Sequence, residues 1–146
     1  ISMEQNQNQD LLEEVYRATQ MGLEGIRAVT PKIEDTQLKK EIRREEAVYQ
    51  KFVSRAEEML AAKGTIPQTH DGVKKAMLWG SVQMNTLMDS SPEHMAELLI
   101  NGTTMGIVDM TKKIGELGDS DAGARRLAED FINFEEKSVE QLKKYL

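Results

Sequence analysis

The chain has 146 residues, about the length of one globular domain, with 39% hydrophobic and 30% charged residues. A net charge of −6 opposes binding to a phosphate backbone, and the absence of cysteine excludes disulfides, thiol nucleophiles and thiolate metal sites. No apolar run is as long as a membrane span, and the first residues lack the charged-then-apolar order of a signal peptide. We therefore expect a cytoplasmic protein that binds neither nucleic acid nor membranes.

Helical periodicity dominates the first half of the chain. Residues 1–9 are polar and predict a flexible N-terminal segment, after which apolar side chains recur at steps of three and four up to Pro31. Because proline cannot continue the hydrogen-bond ladder, the first helix ends there, and a second begins near Asp35 or Thr36 and ends at Gly64. The inward stripe of the first helix is Leu12, Val15, Thr19, Gly22, Ile26 and Val29. The stripe of the second is Leu38, Ile42, Glu45, Tyr49, Phe52, Ala56 and Met59.

Three more helical segments follow a loop that ends at Asp71. A shorter helix over residues 72–89 carries apolar residues at helical spacing. Ser91-Pro92-Glu93 combines an N-cap residue, a proline at the first helical position and an acid in the first turn, so a long helix opens there and continues to about Leu117. Residues 118–121 end it and cap the last helix. The inward stripe of this last helix is Ala124, Ala128, Phe131, Glu135, Ser138, Leu142 and Tyr145.

These segments predict an all-α fold, because none has the two-residue period of a β-strand. Short connections make two antiparallel helix pairs, 10–63 and 92–146. Between them lies the helix over 72–89, and the 17 residues from Gly72 to Met88 span roughly 25 Å at 1.5 Å per residue, enough to return the chain along most of the bundle. We therefore predict a single domain over residues 10–146, a four-helix bundle with a helical crossover between its second and third helices.

A short string of the first helix returns in the third. "TQMGL" at 19–23 and "TTMGI" at 103–107 agree at three of five positions, and the paired glutamates at 45–46 and 135–136 correspond in the partner helices. Such an internal repeat predicts two helix pairs related by a pseudo-twofold axis. Glycine in a helix costs about 1 kcal/mol relative to alanine. We therefore expect Gly22 and Gly106 to face each other and to allow close approach of the two backbones.

The two helix pairs, the crossover and the repeat resemble the ferritin-like superfamily. The strings "GTTMGIVDM" at 102–110 and "EEKSVEQLKKYL" at 135–146 are similar to small uncharacterised ferritin-like proteins of Firmicutes. The resemblance implies a di-iron site built from one carboxylate on each of two helices and a Glu-x-x-His motif on each of the other two. Glu45 and Glu135 occupy the positions of the glutamates in the two Glu-x-x-His motifs, but Val48 and Ser138 replace the histidines.

Glu45 and Glu135 are therefore the candidate metal ligands, and two interpretations of them remain open. As structural residues, they lie at the edge of the core and either hydrogen-bond neighbours such as Tyr49 or carry raised pKa values. As ligands, they hold a hard cation, iron or manganese, with waters or carbonyls completing the shell. The inward positions at the same level of the first and third helices are Thr19, Gly22, Gly102, Thr103 and Gly106, which supply no carboxylate. We therefore expect no cofactor.

Function is the least determined property of this sequence. No Ser/His/Asp triad, P-loop or dinucleotide-binding glycine pattern is present, and neither His70 nor His94 has a partner at metal-ligand spacing. We expect a ferritin-like bundle that acts by binding or assembly as a homo-oligomer, with Trp79 of the crossover helix as an exposed anchor. Its protein partner is unknown. The alternative is an iron- or manganese-binding ferritin-like oxidoreductase or storage protein with an atypical carboxylate site.

Overall fold

The computed structural model describes residues 10–66, 89–117 and 121–146, and these contain four long helices and no β-strand. The helices are α1, Leu11–Val29; α2, Thr36–Ala62; α3, Pro92–Leu117; and α4, Ala122–Leu142. One turn of 3-10 helix, Thr30–Lys32, follows α1, and another, Lys143–Tyr145, follows α4. The predicted all-α class is confirmed for these parts of the chain.

The predicted helix boundaries agree with the structure because the capping residues occupy the places that the sequence indicated. Asp10, Asp35 and Asp121 are the N-caps of α1, α2 and α4, and each side chain accepts a hydrogen bond from a backbone N–H of the first turn. The backbone N–H of His94 donates to Ser91 Oγ at the start of α3, at 3.3 Å. After α2, Gly64 has a φ of +72°, the left-handed conformation that glycine adopts most readily.

Contacts along the helices fix their directions. Gly22 of α1 lies against Tyr49 of α2, and Asp10 at the start of α1 meets Lys63 after the end of α2, so α1 and α2 are antiparallel. Aromatic contacts between Phe52 and Phe131 and the ion pair between Arg55 and Asp130 make α2 and α4 antiparallel in the same way. Helix α4 also packs along α3, and α1 contacts both.

One lysine, Lys63, pairs with the N-cap aspartates of two helices at one end of the bundle. Lys63 Nζ lies 2.6 Å from the carboxylate of Asp121 and 3.3 Å from that of Asp10. Because these aspartates are the N-caps of α4 and α1, the end of α2 meets the starts of both helices at the same end of the molecule. The side-chain hydrogen bond from Lys63 is the main cause of a lowered pKa at Asp121.

The core is formed mainly by α1, α2 and α4. Nearly all the predicted inward residues of these three helices are buried, and their hydrophobic members belong to one cluster. Gly22, Met59 and Tyr145 are half-buried instead. Helix α3 differs, since only Met95, Ala96 and Met110 of its 26 residues are fully buried.

Some predictions concern residues outside the described ranges. These are the flexible segment at 1–9, the crossover helix at 72–89 with Trp79, the loop histidine His70, and the residues at 118–120. Among the helices that are described, none combines the length and apolar character needed to cross a bilayer.

Candidate functional site

Two glutamates lie inside the bundle where α2 and α4 face each other. Glu45 is 3% exposed and Glu135 is 4% exposed, so both lie deeper than the core edge that the sequence suggested. Each lies in the buried stripe of its helix, whose members recur at three- and four-residue spacing and are mostly apolar. Helical periodicity is therefore what places these carboxyl groups in the interior.

Groups from the opposing helix lie beside each glutamate. The Tyr49 hydroxyl donates a hydrogen bond to Glu135 Oε2 at 3.1 Å. The Ser138 hydroxyl lies close enough to Glu45 to influence its pKa, and Thr103 of α3 is similarly close to the Tyr49 hydroxyl. Because the helices are antiparallel, Glu45 and Tyr49 on α2 meet Ser138 and Glu135 on α4 in reverse order. We call these four residues the polar cluster.

The glycines of the repeated string make room for members of the polar cluster. A Cβ atom built on Gly22 would lie only 2.3 Å from Cε1 of Tyr49, so the tyrosine ring occupies the space that any side chain at 22 would need. A Cβ atom on Gly106 would lie 3.2 Å from Glu135 Oε1. The prediction that Gly22 and Gly106 face each other is wrong, because each is covered by a side chain of its partner helix.

Burial shifts the pKa values of both carboxyl groups upward. Burial is the main cause that raises the pKa of Glu45 to about 9, and the hydrogen bond and negative charge of Glu41 add to it. Burial raises the pKa of Glu135 to about 8, although the hydrogen bond from Tyr49 favours its ionised form. At neutral pH both groups are therefore neutral acids. Burial, followed by the charges of Glu135 and Glu45, also raises the pKa of Tyr49 well above its usual value.

Each glutamate retains one buried oxygen without a hydrogen-bond partner. These atoms are Glu45 Oε2 and Glu135 Oε1. A buried polar atom without a partner costs about 1–3 kcal/mol, so a water molecule or an ion bound there would stabilise the bundle. Within residues 10–66, 89–117 and 121–146, no three His, Asp or Glu side chains converge in a way that could hold a metal. Any metal at the polar cluster would need most of its ligands from other groups.

The basic residues at the start of α2 and the histidine His94 are the other polar groups of interest. Arg44, in the basic run Lys39, Lys40, Arg43 and Arg44 of α2, contacts Glu41 on the same helix at 2.5 Å, and Glu41 in turn lies within hydrogen-bond reach of Glu45. His94 is half-buried, and its Nε2 is buried without a hydrogen-bond partner. Neither arrangement brings a nucleophile to Glu45 or Glu135.

Sequence reasoning missed two features of the surroundings of the site. The first is the contact between Gly22 and Tyr49, although both residues lie in inward stripes and glycine is the residue that admits a ring. The second is the outward face of α3, where Met105 is 73% exposed and Val108 is 50% exposed. A large apolar side chain is most often found in the core, so the exposure of Met105 could not be predicted from its residue type.

No protein-family model matches this chain, and no curated protein and no solved structure matches it either. The fold and the site therefore define a class by geometry alone: an all-α helical bundle with two buried carboxyl groups, one on α2 and one on α4. The ferritin-like resemblance stays a prediction.

Proposed function

We propose that this protein is a ferritin-like bundle that acts by binding or assembly and lacks a complete di-iron site. The observation that carries the proposal is the outward face of α3. Met105 and Val108 project from it, exposed by 73% and 50%, whereas most other large apolar side chains of the described residues lie at least partly buried. Exposed apolar surface of this kind is typical of sites where proteins associate.

The chemistry of the polar cluster supports the proposal that the protein lacks a complete di-iron site. Glu135 already accepts a hydrogen bond from Tyr49, and burial keeps both glutamates protonated at neutral pH. A divalent cation would have to displace these protons before the carboxylates could ligate it. Two carboxyl groups are also fewer than the four carboxylates and two histidines of the family signature.

We further propose that residues 67–88 include the helical crossover of a ferritin-like bundle. The support is the direction of the helices, since α2 is antiparallel to α4 and the connection from α3 to α4 is very short. Helices α2 and α3 then point the same way, and the chain between them must travel back along the bundle. A cytoplasmic location remains part of the proposal and rests on the sequence alone.

Metal analysis of the full chain tests the proposed function. The protein is produced with iron or manganese supplementation and purified without chelator, alongside Glu45→Ala and Glu135→Ala. We expect far less than one metal ion per chain in all three proteins, with no loss on substitution. Stoichiometric metal that disappears in both variants would contradict the proposal.

A second candidate function, metal binding by an oxidoreductase or storage protein, is favoured by one observation. Glu45 Oε2 and Glu135 Oε1 are buried carboxyl oxygens without a hydrogen-bond partner. Ionised carboxylates prefer hard cations, and iron or manganese could use these two oxygens if waters completed the shell. Glu45→Gln and Glu135→Gln keep the side-chain shape and remove the charge. Metal retained by both variants would argue against this candidate.

A further inference from the structure

The exposed apolar residues of α1 and α3 lie at the same level of the bundle. Glu14 of α1 pairs with Lys113 of α3 at 3.1 Å, and α1 runs antiparallel to α3. Met21 is two turns after Glu14 on the same face of its helix, and Met105 is about two turns before Lys113. The two helices therefore bring Met21, 43% exposed, to the level of Met105. We call Met21, Met105 and Val108 the methionine patch.

Helix α3 also has room beside Gly102 for the close approach of another helix. Gly102 is exposed, and a Cβ atom added to it would meet no described atom within 4 Å. The absence of a side chain leaves a hollow one turn from Met105. A flexible thioether adapts readily to the shape of an opposing surface.

We propose that the methionine patch is the interface of a twofold-symmetric dimer, in which α3 of one copy packs antiparallel against α3 of a second copy. This proposal rests on the proposed function, assembly, and names a second copy of this chain as the partner. Most soluble oligomers are symmetric homo-oligomers, and a twofold interface must be complementary to itself. The surface of α3 meets that condition.

Self-complementarity follows from the charges at the two sides of the patch. If the twofold axis passes between Thr104 and Met105, Glu97 of each copy lies opposite Lys112 of the other. Both side chains are exposed, and neither forms an ion pair within the part of the chain that the structure describes. The symmetry makes this opposite-charge contact twice. Farther from the axis the crossing helices separate, which keeps the like charges of Glu93 and Glu116 apart.

The size of the surface is suitable for a dimer. Helix α3 is about 39 Å long at 1.5 Å per residue, but the face of one helix is narrow. A stable dimer buries about 1,200–2,000 Å² in total, which requires a second helix from each copy. Helix α1 supplies it through Met21, so the interface consists of two helices from each copy.

Sedimentation equilibrium of the full chain tests the proposal, over about 1–100 µM protein. Glu97→Lys and Lys112→Glu each place like charges opposite each other twice, so each should weaken the dimer by at least about tenfold. The double variant restores opposite charges with reversed sign and should recover most of the affinity. Lys51→Glu, on the exposed face of α2, is the matched control and should leave the affinity unchanged. Equal affinity of the wild type and both single variants would overturn the proposal, as would a wild type that stays monomeric.

Disulfide trapping gives an independent measurement, because the chain contains no cysteine. Met105→Cys places one thiol beside the proposed axis, and oxidation should join two copies rapidly. Lys51→Cys is the control and should remain monomeric under the same conditions. If Met105→Cys does not cross-link faster than the control, the proposed axis is wrong.

If Met105→Lys instead lowers the unfolding midpoint of a monomer, the patch is covered by the chain itself and the proposal fails. The result of the metal analysis does not depend on whether the dimer forms. A failure of the dimer proposal can therefore be distinguished from a failure of the proposed function.

Discussion

The two glycines of the repeated string occupy different surroundings, although the sequence presents them as equivalents. Gly22 of α1 is covered by the rigid ring of Tyr49, whereas Gly106 of α3 is covered by the flexible carboxyl group of Glu135. The first contact belongs to a well-buried helix pair, and the second to a helix with an exposed outer face. A repeated string therefore indicates a similar backbone but not a similar packing role.

The largest expected effect is that of Gly22→Ala. The added methyl group would lie 2.3 Å from the Tyr49 ring, and that ring is 3% exposed and held between Phe131 and Phe134. Because the ring cannot move without disturbing this cluster, we expect the free energy of unfolding to fall by about 3 kcal/mol. Urea denaturation measures this change. A neutral result would mean that the space beside Gly22 is open, and the comparison of the two glycines would fail.

The next effect is a loss of stability as the pH rises. An unfolded glutamate releases its proton near pH 4.5, but folded Glu45 and Glu135 hold theirs up to about pH 9 and 8. Between these limits the folded state binds more protons than the unfolded state, so stability is greatest below the lower limit and falls as the pH increases. We therefore expect the free energy of unfolding to be clearly lower at pH 9 than at pH 5.

Glu135→Gln tests the cause of that decrease. It keeps a neutral side chain of the same shape at every pH, so the stability curve should become shallower, with the remaining slope due to Glu45. Glu140→Gln, at the exposed end of the same helix, is the control and should leave the slope unchanged. A slope in Glu135→Gln equal to that of the wild type would show that Glu135 does not contribute to the decrease.

Tyr49→Phe should have a smaller effect than the pH change. It removes the donor that Glu135 Oε2 accepts from, but it keeps the ring against Gly22. We expect a loss of about 1–2 kcal/mol from the buried oxygen that is left without a partner. The hydrogen bond from Tyr49 lowers the pKa of Glu135, so the variant should raise that pKa further. Carbon-13 NMR of the labelled carboxyl group measures the shift, and an unchanged pKa would contradict the contact.

Gly106→Ala should have the smallest effect. The added methyl group would lie 3.2 Å from Glu135 Oε1, a contact that a few tenths of an ångström would relieve. The gain of helix propensity, about 1 kcal/mol, offsets this displacement, so we expect a change within about 0.5 kcal/mol. Urea denaturation beside Gly22→Ala measures it. Equal losses in the two variants would mean that the repeated glycines have the same role after all.

The helices and the buried glutamates could be predicted from the sequence because both follow local rules. Asp35 and Asp121 cap their helices through neighbouring N–H groups, and Glu45 and Glu135 are placed inside by the periodicity of their stripes. The contact between Gly22 and Tyr49 could not be predicted, since it depends on the rotation of α1 against α2. The exposure of Met105 depends in the same way on how α3 lies on its neighbours, which no local pattern records.

Titration of the purified protein with Mn²⁺ at neutral pH, followed by the EPR signal of the free ion, tests most directly the claim that the buried glutamates are structural acids. Because Glu45 and Glu135 are protonated at neutral pH, the account predicts no site with a Kd below about 100 µM. One tightly bound Mn²⁺ per chain, released by Glu135→Gln, would contradict it.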